Sequence, residues 1–187
     1  MTVTRKPRVD AEHNRRHLVT VARAAFADQG LDLPMREIAR RAGLGIATVY
    51  RHFPTRTDLV AAALAEHVAA CRADLRAALD EPDAWRALSG TIRRFAERQI
   101  RDRGLNEALF GSHPAAAAFA EDRRAHAREL ERLVDRARGA GAVRAEVSVE
   151  DVHAGLTAIA SLQALRPERA APSTWRLVDL LLAGLSA

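Results

Sequence analysis

The 187-residue chain has one cysteine, Cys71. A single thiol excludes a disulfide framework and a four-cysteine zinc site, and it fits a reducing compartment. Aromatic residues make up only 4% of the sequence. No apolar run approaches the ~20 residues of a membrane span, and the N-terminus lacks the apolar core of a signal peptide. A cytoplasmic protein with no membrane partner is therefore expected. Lysine is nearly missing too: Lys6 is the only one, and every other basic residue is arginine. No G-x-S-x-G, P-loop, G-x-G-x-x-G or H-E-x-x-H pattern occurs, and Cys71 falls on an apolar helical face, so no catalytic residues are assigned. His13 and His17 have metal-ligand spacing but no third ligand, so no metal site and no cofactor are expected.

What is present in quantity is alanine, leucine, glutamate and arginine, which favour helix nearly throughout. The charge is uneven. Residues 1–56 carry 11 Lys+Arg against 5 Asp+Glu, and residues 57–187 carry 18 against 19. The whole positive excess lies in the first segment, as a polyanionic partner would require. Within it, Met35 to Asp58 reads as two short helices around a glycine-bearing turn. Met35, Ile38 and Ala39 form one apolar face, and Gly43-Leu44-Gly45 breaks the helix. Ile46 to Phe53 follows with Val49 and Phe53 turned inward, and Pro54 stops it. This is a helix-turn-helix, whose second helix fits a DNA major groove.

The run Ile38-Ala39, Ala42-Gly43, Ala47 to Phe53, Arg56 and Leu59 resembles the tetracycline-repressor (TetR) family of bacterial regulators. The resemblance covers roughly Leu18 to Val60. It implies an all-α homodimer with an N-terminal three-helix DNA-binding domain (1–56) and a C-terminal ligand-binding and dimerisation domain (57–187), about nine helices in total. It also implies double-stranded operator DNA and a small-molecule effector as partners. Tyr50 matches the family's phosphate-binding tyrosine, Arg56 the usual phosphate-binding lysine, and Gly45 a position often held by a Ser or Thr cap.

Chemistry supplies the other expected DNA contacts. Ile46 and Ala47 offer apolar contact to a thymine methyl, Thr48 reaches phosphate or base, and Tyr50 and His52 carry donors. Arg36 on the bracing helix reaches guanine, and Arg51 faces outward; outside this motif Arg36, Arg51 and Arg56 would read as ordinary solvated charges. Thr2 to Arg8, with Lys6 and Arg8, is either a disordered terminus or a basic arm on phosphates or the minor groove.

The rest of the chain reads as helices. The first runs from about Ala11 to Asp28, and a long fourth from Arg56 to Leu79 links the two domains. A fifth starts at Pro82-Asp83 and breaks at Arg103-Gly104. A short apolar segment, Leu105 to Phe110, precedes a helix from Ala115 to about Arg138. Ser148 to Asp151 is a capping box, and Ser173 is expected to cap the last helix. Trp85, Phe95, Gln99, Phe110, Phe119 and His126 are candidates for an effector pocket, with plain core as the alternative. Val152, Leu156, Ile159, Leu162, Val178, Leu181 and Leu185 are expected to form a four-helix dimer interface. Function therefore reads as a ligand-responsive repressor released from a palindromic operator by a small molecule. A DNA-binding dimer with no ligand switch is the alternative, and an enzyme is disfavoured by the absent motifs.

Overall fold

The computed structural model describes residues 6–111, 113–164 and 167–187. Among them are nine α-helices and no strand: α1 (Lys6–Gln29), α2 (Met35–Arg41), α3 (Ile46–His52), α4 (Arg56–Asp80), α5 (Ala84–Arg101), α6 (Arg103–Leu109), α7 (Ala120–Gly139), α8 (Val149–Ser161) and α9 (Pro167–Leu185). Two 3-10 turns, Pro114–Phe119 and Leu162–Ala164, complete the order. The fold is all-α, as read from the sequence.

Several helix ends are set by side chains. Thr55 and Asp58 form a reciprocal capping box at the start of α4, with bonds of 3.0 and 3.1 Å. Ser148 and Asp151 do the same for α8, at 2.9 and 3.2 Å. Such a cap is worth about 1 kcal/mol. The Ser148 amide, helped by its hydroxyl, holds the Asp151 carboxyl below the usual carboxylate range.

Four boundaries differ from expectation. Helix α1 begins at Lys6, so the backbone of Lys6 and Arg8 is helical rather than an extended arm, and their side chains lie outside the described residues, as do Thr2 to Arg5. Pro7 does not prevent this, because the first turn of a helix needs no N–H there. The α5–α6 break falls at Asp102, whose carboxylate caps α6 by accepting from Leu105 N at 2.9 Å. The helix expected from Ala115 starts as a 3-10 turn and becomes α7 only at Ala120. Helix α9 starts at Pro167, not at Ser173, and carries Pro172 within it. Pro172 is the sixth residue of the helix, so its missing N–H costs one backbone bond to the carbonyl four residues back.

Two apolar cores result. One joins Leu18 and Phe26 of α1, Ile38 of α2, Val49 of α3, Leu59 and Leu64 of α4, and Leu105 of α6. The other joins Leu88 and Ile92 of α5, Leu133 of α7, Ile159 of α8 and Val178 of α9. Each such side chain contributes about 1.5–3 kcal/mol by burial. Helix α4 serves both: its residues through Cys71 face the first core, and Leu75 and Ala78 face the second. Packing thus continues straight across residue 56.

The second core uses most of the side chains expected at a dimer interface. Val152, Leu156, Ile159, Val178 and Leu185 are buried inside this one chain, and only Leu162 and Leu181 are half-buried. Leu181 is held over Gly155, where a Cβ would meet its methyl carbons at 2.6 and 2.7 Å. The apolar stripe of α8 and α9 therefore faces inward, because α5 and α7 need an apolar partner. The outward face carries Ala154, Ala158 and Ser161 on α8, and Trp175, Leu180 and Ala183 on α9.

Candidate nucleic-acid interface and ligand cavity

The recognition element is shaped by its turn. Gly43 adopts φ +65°, a left-handed conformation that glycine takes without steric strain, and closes α2. Gly45 is the N-cap of α3, with extended backbone and no side-chain hydrogen bond. Val49 and Phe53 are buried and fix the orientation of α3. Arg15 of α1 lies over the Phe53 ring at 5.1 Å, and His17 Nε2 sits 3.2 Å from the Ala42 carbonyl, so α1 braces both ends of the motif.

With Val49 inward, Ile46, Ala47, Tyr50 and Arg51 are exposed on one side of α3, and Thr48 and His52 are half-buried. Tyr50 is 49% exposed, unusual for an aromatic ring in a chain with so few. Arg36 is exposed on α2, and Arg56 is half-buried on the first turn of α4 with its Nη2 buried and lacking a partner among the described residues. Arg40 and Arg41 both hydrogen-bond Glu37, at 2.7–2.9 Å, whereas Arg36, Arg51 and Arg56 have no carboxylate within 4.0 Å among the described residues. The Arg40 guanidinium, then that of Arg41, lowers the Glu37 pKa to about 2. Helix α2 thus ties down two of its arginines and leaves the third open.

A cavity of about 300 Å³ lies between α4, α5, α6, α7 and α8. Four of the expected pocket residues line it: Phe95, Gln99, Phe110 and His126. Phe95 and Phe110 meet edge to face, with centroids 4.8 Å apart at 82°. Trp85 and Phe119 do not line it. Trp85, on the first turn of α5, packs on the second core some three turns from Phe95, and Phe119 is buried in the first core. Leu156, expected at a dimer interface, lines the cavity instead.

Polar residues complete the lining, and the apolar stripes gave no signal for them. Arg94, Arg98, Asp102, Asn106, Arg123 and His153 all border the cavity. Their legible sign was position alone, since Arg94 and Arg98 flank Phe95 and Gln99 on α5. Asn106 Nδ2 donates to Gln163 Oε1 at 2.9 Å and to the Ala160 carbonyl at 3.3 Å, and Gln163 donates to the Gln99 carbonyl, which links α5, α6 and α8. Cys71 also borders the cavity, and burial pushes its thiol pKa up, away from nucleophile chemistry.

Comparison with known proteins agrees with this geometry. Residues 18–63 match the model of "bacterial regulatory proteins, tetR family", and residues 81–187 match the C-terminal domain of SbtR-like transcriptional regulators. A solved TetR transcription regulatory protein of Mycobacterium vanbaalenii is 34% identical, with 96% of this chain and 99% of that chain covered and a TM-score of 0.62. A TetR transcriptional regulator of Streptomyces coelicolor is 33% identical, with 92% and 98% covered and a TM-score of 0.62. An HTH-type transcriptional regulator of Staphylococcus aureus is 38% identical over 53 residues, 28% of this chain and 29% of that protein. No described helix is long and apolar enough to cross a membrane. With its helix-turn-helix at the N-terminal end and a cavity-bearing helical domain behind it, the chain belongs to the TetR family of DNA-binding transcriptional regulators.

Proposed function

We propose that this protein is a homodimeric repressor, seated on a palindromic operator and released by a small molecule in the α4–α8 cavity. Residues 1–56 serve DNA, and residues 57–187 serve the effector and the dimer. One observation carries the reading: helix α4 runs from the cavity wall to the recognition element, and helix α6 joins the same wall to α1. Helix α4 borders the cavity at Cys71, Asp74 and Leu75 and begins at Arg56. Helix α6 borders it at Leu105, Asn106 and Leu109 and packs on α1.

Tyr50, Arg51, His52, Thr48 and Arg56 contact phosphates, with Lys6 and Arg8 extending the basic surface. Arg36, Ile46 and Ala47 read bases, with Gly45 letting the backbone approach. The dimer forms through the outward faces of α8 and α9, where Ala154 and Ala158 permit close approach and Leu180 supplies the apolar anchor. In such a dimer the two recognition helices must match successive major grooves about 34–36 Å apart. An effector that favours another separation weakens operator binding, and the operator weakens effector binding by the same factor.

The test is to find any ligand of the purified full chain by thermal shift and titrate it with and without operator DNA. Affinities that differ by the same factor in both directions support the switch. Equal affinity in both titrations leaves a DNA-binding dimer without one.

A further inference from the structure

We infer that the cavity takes a small carboxylic acid with a ring-sized apolar body and a hydroxyl group. The carboxylate is held by Arg94 and Arg123, and the hydroxyl donates to His126. This rests on the reading of the cavity as the effector site and adds the chemical class of the effector.

Volume sets the size. A cavity of about 300 Å³ stands at the small end of ligand sites, which suits a compact molecule. One ring with two short substituents fits within it. The edge-to-face pair of Phe95 and Phe110 offers that ring an aromatic wall.

Charge sets the anion. Three arginines and two aspartates line the cavity: Arg94, Arg98, Arg123, Asp74 and Asp102. Both aspartates are already engaged, Asp74 by Arg98 and Asp102 by His67 at 2.8 Å. Among the described residues, neither Arg94 nor Arg123 has a carboxylate within 4.0 Å. Among the described residues, Arg94 donates only to the Thr91 hydroxyl, at 3.4 Å. Two uncompensated guanidiniums beside an aromatic wall, half-shielded from water, favour a carboxylate strongly, and the planar fork matches its geometry.

Hydrogen-bond accounting sets the hydroxyl. His126 Nδ1 lies 2.6 Å from the Asp122 carbonyl oxygen. A carbonyl can only accept, so Nδ1 carries the hydrogen, and in the neutral ring Nε2 keeps a bare lone pair. That Nε2 is buried without a partner among the described residues, and so is Oε1 of Gln99, a residue only 4% exposed. Buried acceptors without donors are uncommon in folded proteins. A hydroxyl on the ligand supplies the missing hydrogen to His126 Nε2.

Calorimetry on the full chain with four probes tests the proposal: 4-hydroxyphenylacetate, phenylacetate, the neutral 4-hydroxyphenethyl alcohol and the cation tyramine. The expected order is 4-hydroxyphenylacetate first, phenylacetate and the alcohol weaker, and tyramine absent. Arg94→Gln and Arg123→Gln should each weaken 4-hydroxyphenylacetate on the order of tenfold to a hundredfold and leave the alcohol unchanged. His126→Phe should erase the preference for 4-hydroxyphenylacetate over phenylacetate. Wild-type melting temperature and DNA binding in the arginine variants show that they are folded. Equal binding of acid, alcohol and amine, or arginine variants that bind the acid normally, overturns the acid class and leaves the effector site standing. If none of the four binds, the acid class is overturned. The effector-site reading then falls as well only if the reciprocal titration with operator finds no coupled ligand.

Discussion

Glu107 of the cavity helix α6 accepts a hydrogen bond from the backbone amide of Leu31, at 2.6 Å. Its other oxygen accepts from Arg103 at 2.8 Å. Gly30, at φ +80°, makes room for this contact, because a Cβ there would stand 2.5 Å from Glu107 Oε1. The turn between α1 and α2 is therefore tied to α6 by a carboxylate. Glu107→Ala leaves a half-buried N–H without its acceptor, an expected loss of about 1–3 kcal/mol. Denaturant melts measure that loss, and the mutual effect of ligand and operator should shrink in the same variant.

Close packing makes the same junction sensitive to size. A Cβ at Gly104 would lie 2.8 Å from both the Cβ and the carbonyl oxygen of Phe26. Gly104→Ala must push α6 off α1, and about 1–3 kcal/mol of stability should go with it. Gly139, which ends α7 with open space around it, is the control. Gly139→Ala should be stabilising by roughly 0.4–1 kcal/mol, so similar melting shifts in the two variants would contradict the clash.

The proposed DNA contacts divide by what they read. Arg56→Ala and Tyr50→Phe should weaken binding to all sequences alike, and Arg56→Ala should flatten the salt dependence. Arg36→Ala should relax preference at one base pair per half-site, at a cost of about 1–3 kcal/mol. Binding to a library of single-base operator variants separates the two. A uniform loss across that library for Arg36→Ala would assign it to phosphate instead.

The inward turn of the α8–α9 stripe changes which leucine should govern assembly. Leu180 is 64% exposed, and Leu156 is buried. Leu180→Arg should yield folded monomers by sedimentation, with helix content intact. Leu156→Arg should instead unfold the C-terminal core by placing an unpaired charge in it. Folded dimers in the Leu180 variant would place the interface elsewhere.

Acid should loosen α2 late. The Glu37 pKa is lowered from 4.5 to about 2, chiefly by its hydrogen bond to Arg40 and then by that to Arg41. A carboxylate depressed on folding stabilises fully above its unfolded pKa and loses that effect as pH falls through the folded one. The melting temperature of wild type minus that of Glu37→Gln should stay constant down to about pH 4.5, then close towards pH 2. The carboxylate still touches water, with 28% of the side chain exposed, so added salt should also narrow the gap. A gap that persists at pH 2 in high salt would point to packing rather than charge.

The helix-turn-helix was legible because its signals are local. Glycine at the turn, Val49 and Phe53 at i, i+4 and proline at the exit act within a few residues, and the capping box of Ser148 and Asp151 is local in the same way. The cavity was only half legible. Phe95, Gln99, Phe110 and His126 stand on apolar stripes and could be named, but Arg94 and Arg123 read as solvated until five helices close around them. The α8–α9 stripe misled for a related reason. Periodicity tells that Val152, Ile159 and Val178 face something apolar, and it carries no mark of whether that surface belongs to the same chain. The Glu107–Leu31 contact spans 76 residues and leaves no pattern in the sequence.

Arg136 of α7 grips the rear end of α4, donating to the carbonyls of Leu79 at 2.5 Å and Ala78 at 3.3 Å. That end of the helix is thereby a bearing, and the end at Arg56, packed against α1 to α3, is the far tip of a beam roughly 34 Å long at about 1.5 Å per residue. A tilt of about 5° around the bearing carries the tip roughly 3 Å, the scale of one hydrogen bond made or lost at a phosphate. Under the proposed switch, small changes at Cys71 and Leu75, close to the pivot, are geared up at the Arg56 end, and displacements of that end are geared down at the cavity.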